Sequence, residues 1–129
     1  MGAGAGSSGD GSGSSEGGSS LLYIQDGPNY SIVEGNTKSN SAIGKYSHSE
    51  GDRTAAAGLS SHTEGQKTFT SSNAQDAHAQ GLFSKVEGDR GHAEGINSIA
   101  LGTASHAEGI NTIASGYGSH VQGQGTIAT

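Results

Sequence analysis

Apolar side chains along this chain come in ones and twos, and the regular feature between them is glycine. Gly81, Gly88, Gly95, Gly102, Gly109, Gly116 and Gly123 recur every seventh residue, and Gly44, Gly51, Gly58 and Gly65 form an earlier run with the same step. Aligned on these turn and core glycines, residues 31–129 repeat a unit of Ser or Thr, a variable residue, a small or β-branched residue, a second variable residue, Gly and two turn residues. Strand side chains alternate between faces. The pattern therefore predicts five-residue strands with positions one, three and five inward and positions two and four outward, joined by two-residue turns.

Two kinds of strand alternate. The first carries His-x-Glu or His-x-Gln outward, and all six histidines fall there: His48, His62, His78, His92, His106 and His120, with Glu50, Glu64, Gln80, Glu94, Glu108 and Gln122 two residues on. The strand before them has Ile32 and Glu34 at the same positions. The second kind points mixed, often apolar residues outward, among them Phe69, Ile99, Leu101, Ile113 and Ile127. The repeat is thus fourteen residues long, two strands per coil, and seven coils stacked at roughly 4.8 Å make a rod about 34 Å long. Turns at Asn36–Ser39 and Asn73–Asp76 hold two extra residues and are expected to bulge without changing strand order. The alternatives for a glycine-rich repeat fail on spacing. A coiled coil needs Leu or Ile at two heptad positions and suffers about 1 kcal/mol per helical Gly; collagen needs Gly at every third residue; the calcium-binding nonapeptide has a different motif.

Composition sharpens this. Of 129 residues, 24 are Gly, while Leu, Ile, Val and Phe together number 18, below the fraction at which a chain with an ordinary core is expected to fold. A roll lined by Gly, Ala, Ser and Thr escapes that limit because two sheets can approach closely and the ladder hydrogen bonds carry the structure. It also buries little apolar area. One subunit is therefore expected to need copies of itself, with Ile99, Leu101, Ile113 and Ile127 as one candidate subunit interface and the His/Glu surface as its rival. Residues 1–20, almost all Gly, Ser and Ala, are expected to be a flexible tail or linker. Residues 21–30 offer a short apolar capping or pairing strand with a turn at Asp26-Gly27-Pro28-Asn29, and residues 31–129 form the roll.

The Ser98-Ile-Ala-Leu-Gly102, Thr112-Ile-Ala-Ser-Gly116 and Ser105-His-Ala-Glu-Gly109 segments resemble the YadA-like head repeats of trimeric autotransporter adhesins. The Ser-His-Ala-Glu-Gly form is also similar to repeats of phage tail and appendage fibres. The resemblance covers residues 31–129. It implies a parallel β-roll, left-handed and trimeric, serving as the head or shaft of a surface fibre that attaches to a host-surface protein or glycan. The expected location is extracellular, on a cell surface or on a virion. The chain's start lacks the basic stretch and apolar core of a secretory signal. An alternative is a filament of rolls stacked head to tail, suggested because the chain stops at Thr129, one residue before the next Gly is due.

Charge and chemistry narrow the function classes. A net charge of -6 and the absence of Lys or Arg beyond Arg90 speak against nucleic acid, and no apolar run is long enough to span a membrane. Without cysteine there are no disulfides or thiolate metal sites. Ser-His-x-Glu recurs, but the Ser is expected inward and the His and Glu outward, so no nucleophile–base pair forms within a strand; the chain is read as no enzyme and no cofactor is expected. The histidines, with Glu50, Glu64, Glu94 and Glu108, are read as a structural ladder. Its alternatives are metal binding, because His-x-Glu places two ligands on one strand face, and contact with a carbohydrate or receptor.

Overall fold

A computed structural model describes residues 23–26, 30–35 and 40–129 of the chain; the expected tail at 1–20 and the turns at 26–29 and 36–39 lie largely or wholly outside them. The described residues form an all-β solenoid of about seven coils with no helix. One sheet, A, contains β1 (Tyr23–Asp26), β2 (Ser31–Gly35), β4 (His48–Asp52), β6 (His62–Gln66), β8 (His78–Leu82), β10 (His92–Ile96), β12 (His106–Ile110) and β14 (His120–Gln124), in that spatial order. The facing sheet, B, contains β3 (Ser41–Ala42), β5 (Ala55–Ala56), β7 (Phe69–Thr70), β9 (Lys85–Val86), β11 (Ile99–Ala100), β13 (Ile113–Ala114) and β15 (Ile127–Ala128). All pairings between coils are parallel and place equivalent residues side by side, as in His92↔His106 and Ile99↔Ile113. The exception is β1, which runs antiparallel along β2, from Tyr23↔Glu34 to Asp26↔Ser31.

The inward positions are as small as the repeat predicts. Ala93, Ala100, Ala107 and Ala114 are fully buried, as are Ser98 and Thr112, and Val86 is the largest side chain so enclosed. In the early coils hydroxyls take the place of methyls. Ser49 and Thr54 share a hydrogen bond of 2.6 Å, Thr63 donates to Ser49, and Thr70 donates to Ser61. These bonds, with those from Ser49 Oγ to Thr54 O and from Ser61 Oγ to Gly58 O, satisfy polar groups that are buried in the roll. Asn40 stands where later coils have Thr or Ser, and its amide serves the backbone directly: Nδ2 donates to Glu34 O and Gly51 O at 2.7 Å, and Oδ1 accepts from Thr54 N. One buried side chain thereby fixes the first corner of the roll.

Two features differ from the strand-and-turn expectation. Sheet B strands are two residues long rather than five, because the chain turns sharply at both ends of them. The two sets of glycine also differ. Gly102 is buried and opens a β-turn closed by Ser105 N donating to Gly102 O at 3.2 Å; a Cβ there would fall on Gly116 O. Gly95 is the next-to-last residue of a sheet A strand, with φ +115°, and its added Cβ would fall on Gly109 O of the next coil, along the roll axis rather than in the core. Glycine is required at both places by backbone approach, and at Gly95 by conformation too.

The corners themselves are left-handed at residues that have a Cβ. Arg53, Lys67, Phe83, Asn97 and Asn111 on one edge, and Tyr46, Ser60, Arg90 and Ala104 on the other, have φ between +56° and +61°. Each such residue costs about 1–2 kcal/mol locally. In exchange the corner N–H continues the ladder between coils: Asn97 N donates to Leu82 O and Ala104 N to Asp89 O, both at 2.8 Å. The two-residue insertion near Asn73–Asp76 is absorbed by a turn closed from Ala74 N to Ser71 O, so His62 still pairs with His78 although sixteen residues separate them.

Candidate functional site

The outer wall of sheet A is an imidazole column. Parallel register places each histidine over the last, and alternation turns all six out of the core. Ring centroids of consecutive histidines lie 4.7–4.9 Å apart and the planes stay within 9° of parallel. The strand spacing itself sets that distance. Beside the column runs a line of carboxylates. Nε2 of His62, His78, His106 and His120 pairs with Oε1 of the Glu one coil earlier, at 3.0 Å to Glu50, 3.0 Å to Glu64, 3.3 Å to Glu94 and 3.1 Å to Glu108. The Glu on a histidine's own strand is farther: 3.8 Å for His48–Glu50, 3.9 Å for His62–Glu64, 3.7 Å for His92–Glu94 and 3.8 Å for His106–Glu108. His48 begins the series, with Nε2 3.2 Å from Glu34 Oε1.

The line is interrupted once between histidines. Gln80 occupies the position that would serve His92, and His92 Nε2 is buried with no hydrogen-bond partner among the described residues; His48 Nε2, at ion-pair distance from Glu34, also makes no hydrogen bond. Burial pushes the His92 imidazole below the ordinary histidine range, His106 and His78 on either side push it the same way, and Glu94 and Glu108 act against them. The other ladder side chains are about a third exposed, up to about half at His120, so these pairs stand at the surface. Each surface pair contributes at most about 1 kcal/mol.

The opposite wall mixes apolar and polar side chains, with Lys85 Nζ paired to Glu87 Oε2 at 2.6 Å in the coil between Phe69 and Ile99. Ile99 and Ile113 are half-buried on sheet B, Leu101 and Ile127 are exposed, and the earlier coils add Ile43 and Phe69. The structure thus groups the four interface candidates on one face, away from the histidines. It adds residues that the repeat alignment had assigned to turns. Leu82, Ile96 and Ile110 extend the sheet A strands past their glycines and stack in register, with Ile96 and Ile110 exposed. Their fourteen-residue recurrence was the available signal. It was hidden because the earlier coils have Asp52 and Gln66 there. The Ser of Ser-His-x-Glu does face inward: Ser61 Oγ donates to Gly58 O, and Ser105 is buried behind His106.

No curated protein and no solved structure matches the chain. A family model does match, twice and in overlapping copies, at residues 93–119 and 107–129. Those are the coils with the most regular Ser-His-Ala-Glu-Gly and Ser/Thr-Ile-Ala strands, and the model that residues 93–129 match is the YadA head domain repeat.

Proposed function

We propose that the chain is a structural segment of a homotrimeric surface fibre, packed through the apolar wall of sheet B, with the His/Glu wall of sheet A facing outward toward a host-surface protein or glycan. The match of residues 93–129 to the YadA head domain repeat supports the class. The observation that carries the assembly is the division of the roll's two walls, one lined by Ile43, Phe69, Leu101 and Ile127 and the other by paired polar groups. A thin core of Ala, Ser and Thr leaves a single roll short of buried apolar area, and the apolar residues of sheet B, on either side of the Lys85–Glu87 pair, are the surface through which copies would gain it. Placing the histidine column outward avoids burying six ionisable rings around one axis. The role is mechanical and adhesive. Its chemistry is display, with no catalytic step.

The test is the mass in solution with the sheet B wall intact and altered. Wild type is expected as a discrete trimer and Ile99→Asp with Ile113→Asp as a monomer or an unfolded chain. Ladder variants such as Glu94→Gln are expected to leave the mass unchanged. A trimer that survives the sheet B charges but dissociates on ladder substitution would reverse the assignment of the two walls.

A further inference from the structure

Along the outer wall of sheet A, one arrangement of donor atoms recurs four times. In each, a single carboxylate oxygen stands beside the Nε2 atoms of two histidines on consecutive coils, and the three donors lie within 4.8 Å of one another. The geometry points to a site for a divalent transition ion of the zinc class in these imidazole–carboxylate–imidazole triads, held by two Nε2 atoms and one Glu oxygen with water completing the shell. This rests on the reading that sheet A faces outward in the assembly.

The chemistry of the donor set fits. Neutral imidazole and carboxylate are ordinary zinc ligands at roughly 2.0–2.2 Å, and the ion completes a tetrahedron with an exchangeable water where solvent has access. Two donors on one tetrahedral ion stand about 3.4 Å apart, so binding draws the two Nε2 atoms together and tilts rings that are otherwise parallel. Those rings are about a third exposed, which leaves them room to tilt on the solvent side. Each bound ring must give up its Nε2 proton and keep one on Nδ1, so protons compete with the metal. At His92 no hydrogen bond within the described residues has to be broken first.

The ladder also fixes how many ions bind. Consecutive triads share a histidine, and one Nε2 serves one ion: His62 belongs to the triads of both Glu50 and Glu64, and His106 to those of both Glu94 and Glu108. Gln80 supplies no carboxylate between His78 and His92, so the column divides into two blocks of three imidazoles. Each block holds one ion, and each chain holds two. A carboxylate at position 80 would join the blocks, and six imidazoles would then pair into three sites.

Zinc titrated calorimetrically into the full chain at about pH 7.5, in a buffer that does not chelate, is expected to saturate at two ions per chain and to shift the histidine ring proton resonances. Binding is expected to weaken and then be lost on acidification, because protons compete with the metal for the ring nitrogens. His62→Gln removes the shared ligand and is expected to leave one ion; His48→Gln leaves the second triad of that block intact and is expected to keep two. Gln80→Glu is expected to raise the count to three. Absence of saturable binding, or equal losses from His48→Gln and His62→Gln, overturns the proposal. If a variant fails to fold by circular dichroism, the wild-type stoichiometry and its loss with acid still decide. Mass measured on the same sample separates the two ideas: a trimer that binds no zinc overturns the site alone, and two ions on a species that is not a trimer overturn the assembly alone.

Discussion

The two sheets of the roll are cut from the same repeat and do different work. From β4 on, sheet A strands run five residues and end one residue past a glycine at positive φ, while sheet B strands run two residues between sharp corners. Both turn Ser, Thr and Ala inward, so their core contributions are alike. Their outer positions diverge: sheet A repeats His and Glu in register, and sheet B collects Ile, Leu and Phe on either side of a Lys85–Glu87 pair. A solenoid amplifies any such difference, because a residue chosen once per coil becomes a continuous line along the rod. The lesson is that the wall, rather than the single residue, is the functional unit.

The largest expected effect comes from placing charge on the sheet B wall. Ile99→Asp with Ile113→Asp should abolish the trimer, read as a fall in mass, whereas Glu94→Gln with Glu108→Gln on sheet A should leave it. Next come the glycines. Gly102→Ala would drive a Cβ into Gly116 O and should destabilise by about 3 kcal/mol, at the upper end of overpacking costs. Gly118→Ala, at a positive φ that Gly102 does not have but with open space around it, should cost only about 1 kcal/mol. Thermal denaturation compares the two, and equal losses would mean that close approach between coils is not what demands glycine.

A smaller effect should appear at the interruption of the ladder. His92 resists protonation in the fold, so its contribution is intact above the ordinary value of about 6.5 and is lost as pH falls through that value toward the folded one. Ring proton titration by NMR, in the presence of chelator, should place His92 below its ordinary value, and Gln80→Glu should raise it by supplying the missing carboxylate. A His92 that titrates at or above the ordinary value would remove the distinction between it and the paired rings. The smallest effect is at the corners: Ala104→Gly relieves a left-handed residue at φ +59° and should stabilise by about 0.5–1 kcal/mol.

Much of this architecture is legible in the residues because the repeat is so regular. Seven-residue glycine spacing gives the coil, and alternation places His106 outward and Ala107 inward without further information. The short sheet B strands are not legible. Their length depends on left-handed corners at residues such as Asn97 and Ala104, which sequence rules would assign to glycine. The apolar line of Leu82, Ile96 and Ile110 was hidden for a related reason, since an alignment that ends each strand at glycine leaves the following residue in a turn. The ladder's pairing direction, from each His back to the Glu one coil earlier, requires side-chain geometry that no one-dimensional spacing contains.

The central claim is that the apolar wall of sheet B joins three copies and leaves the ladder outside. Light scattering coupled to size separation on the intact chain tests it most directly. Three chains of 12.7 kDa predict a discrete species near 38 kDa that does not change with dilution; a species of 12.7 kDa, or masses that grow without limit as concentration rises, would contradict it.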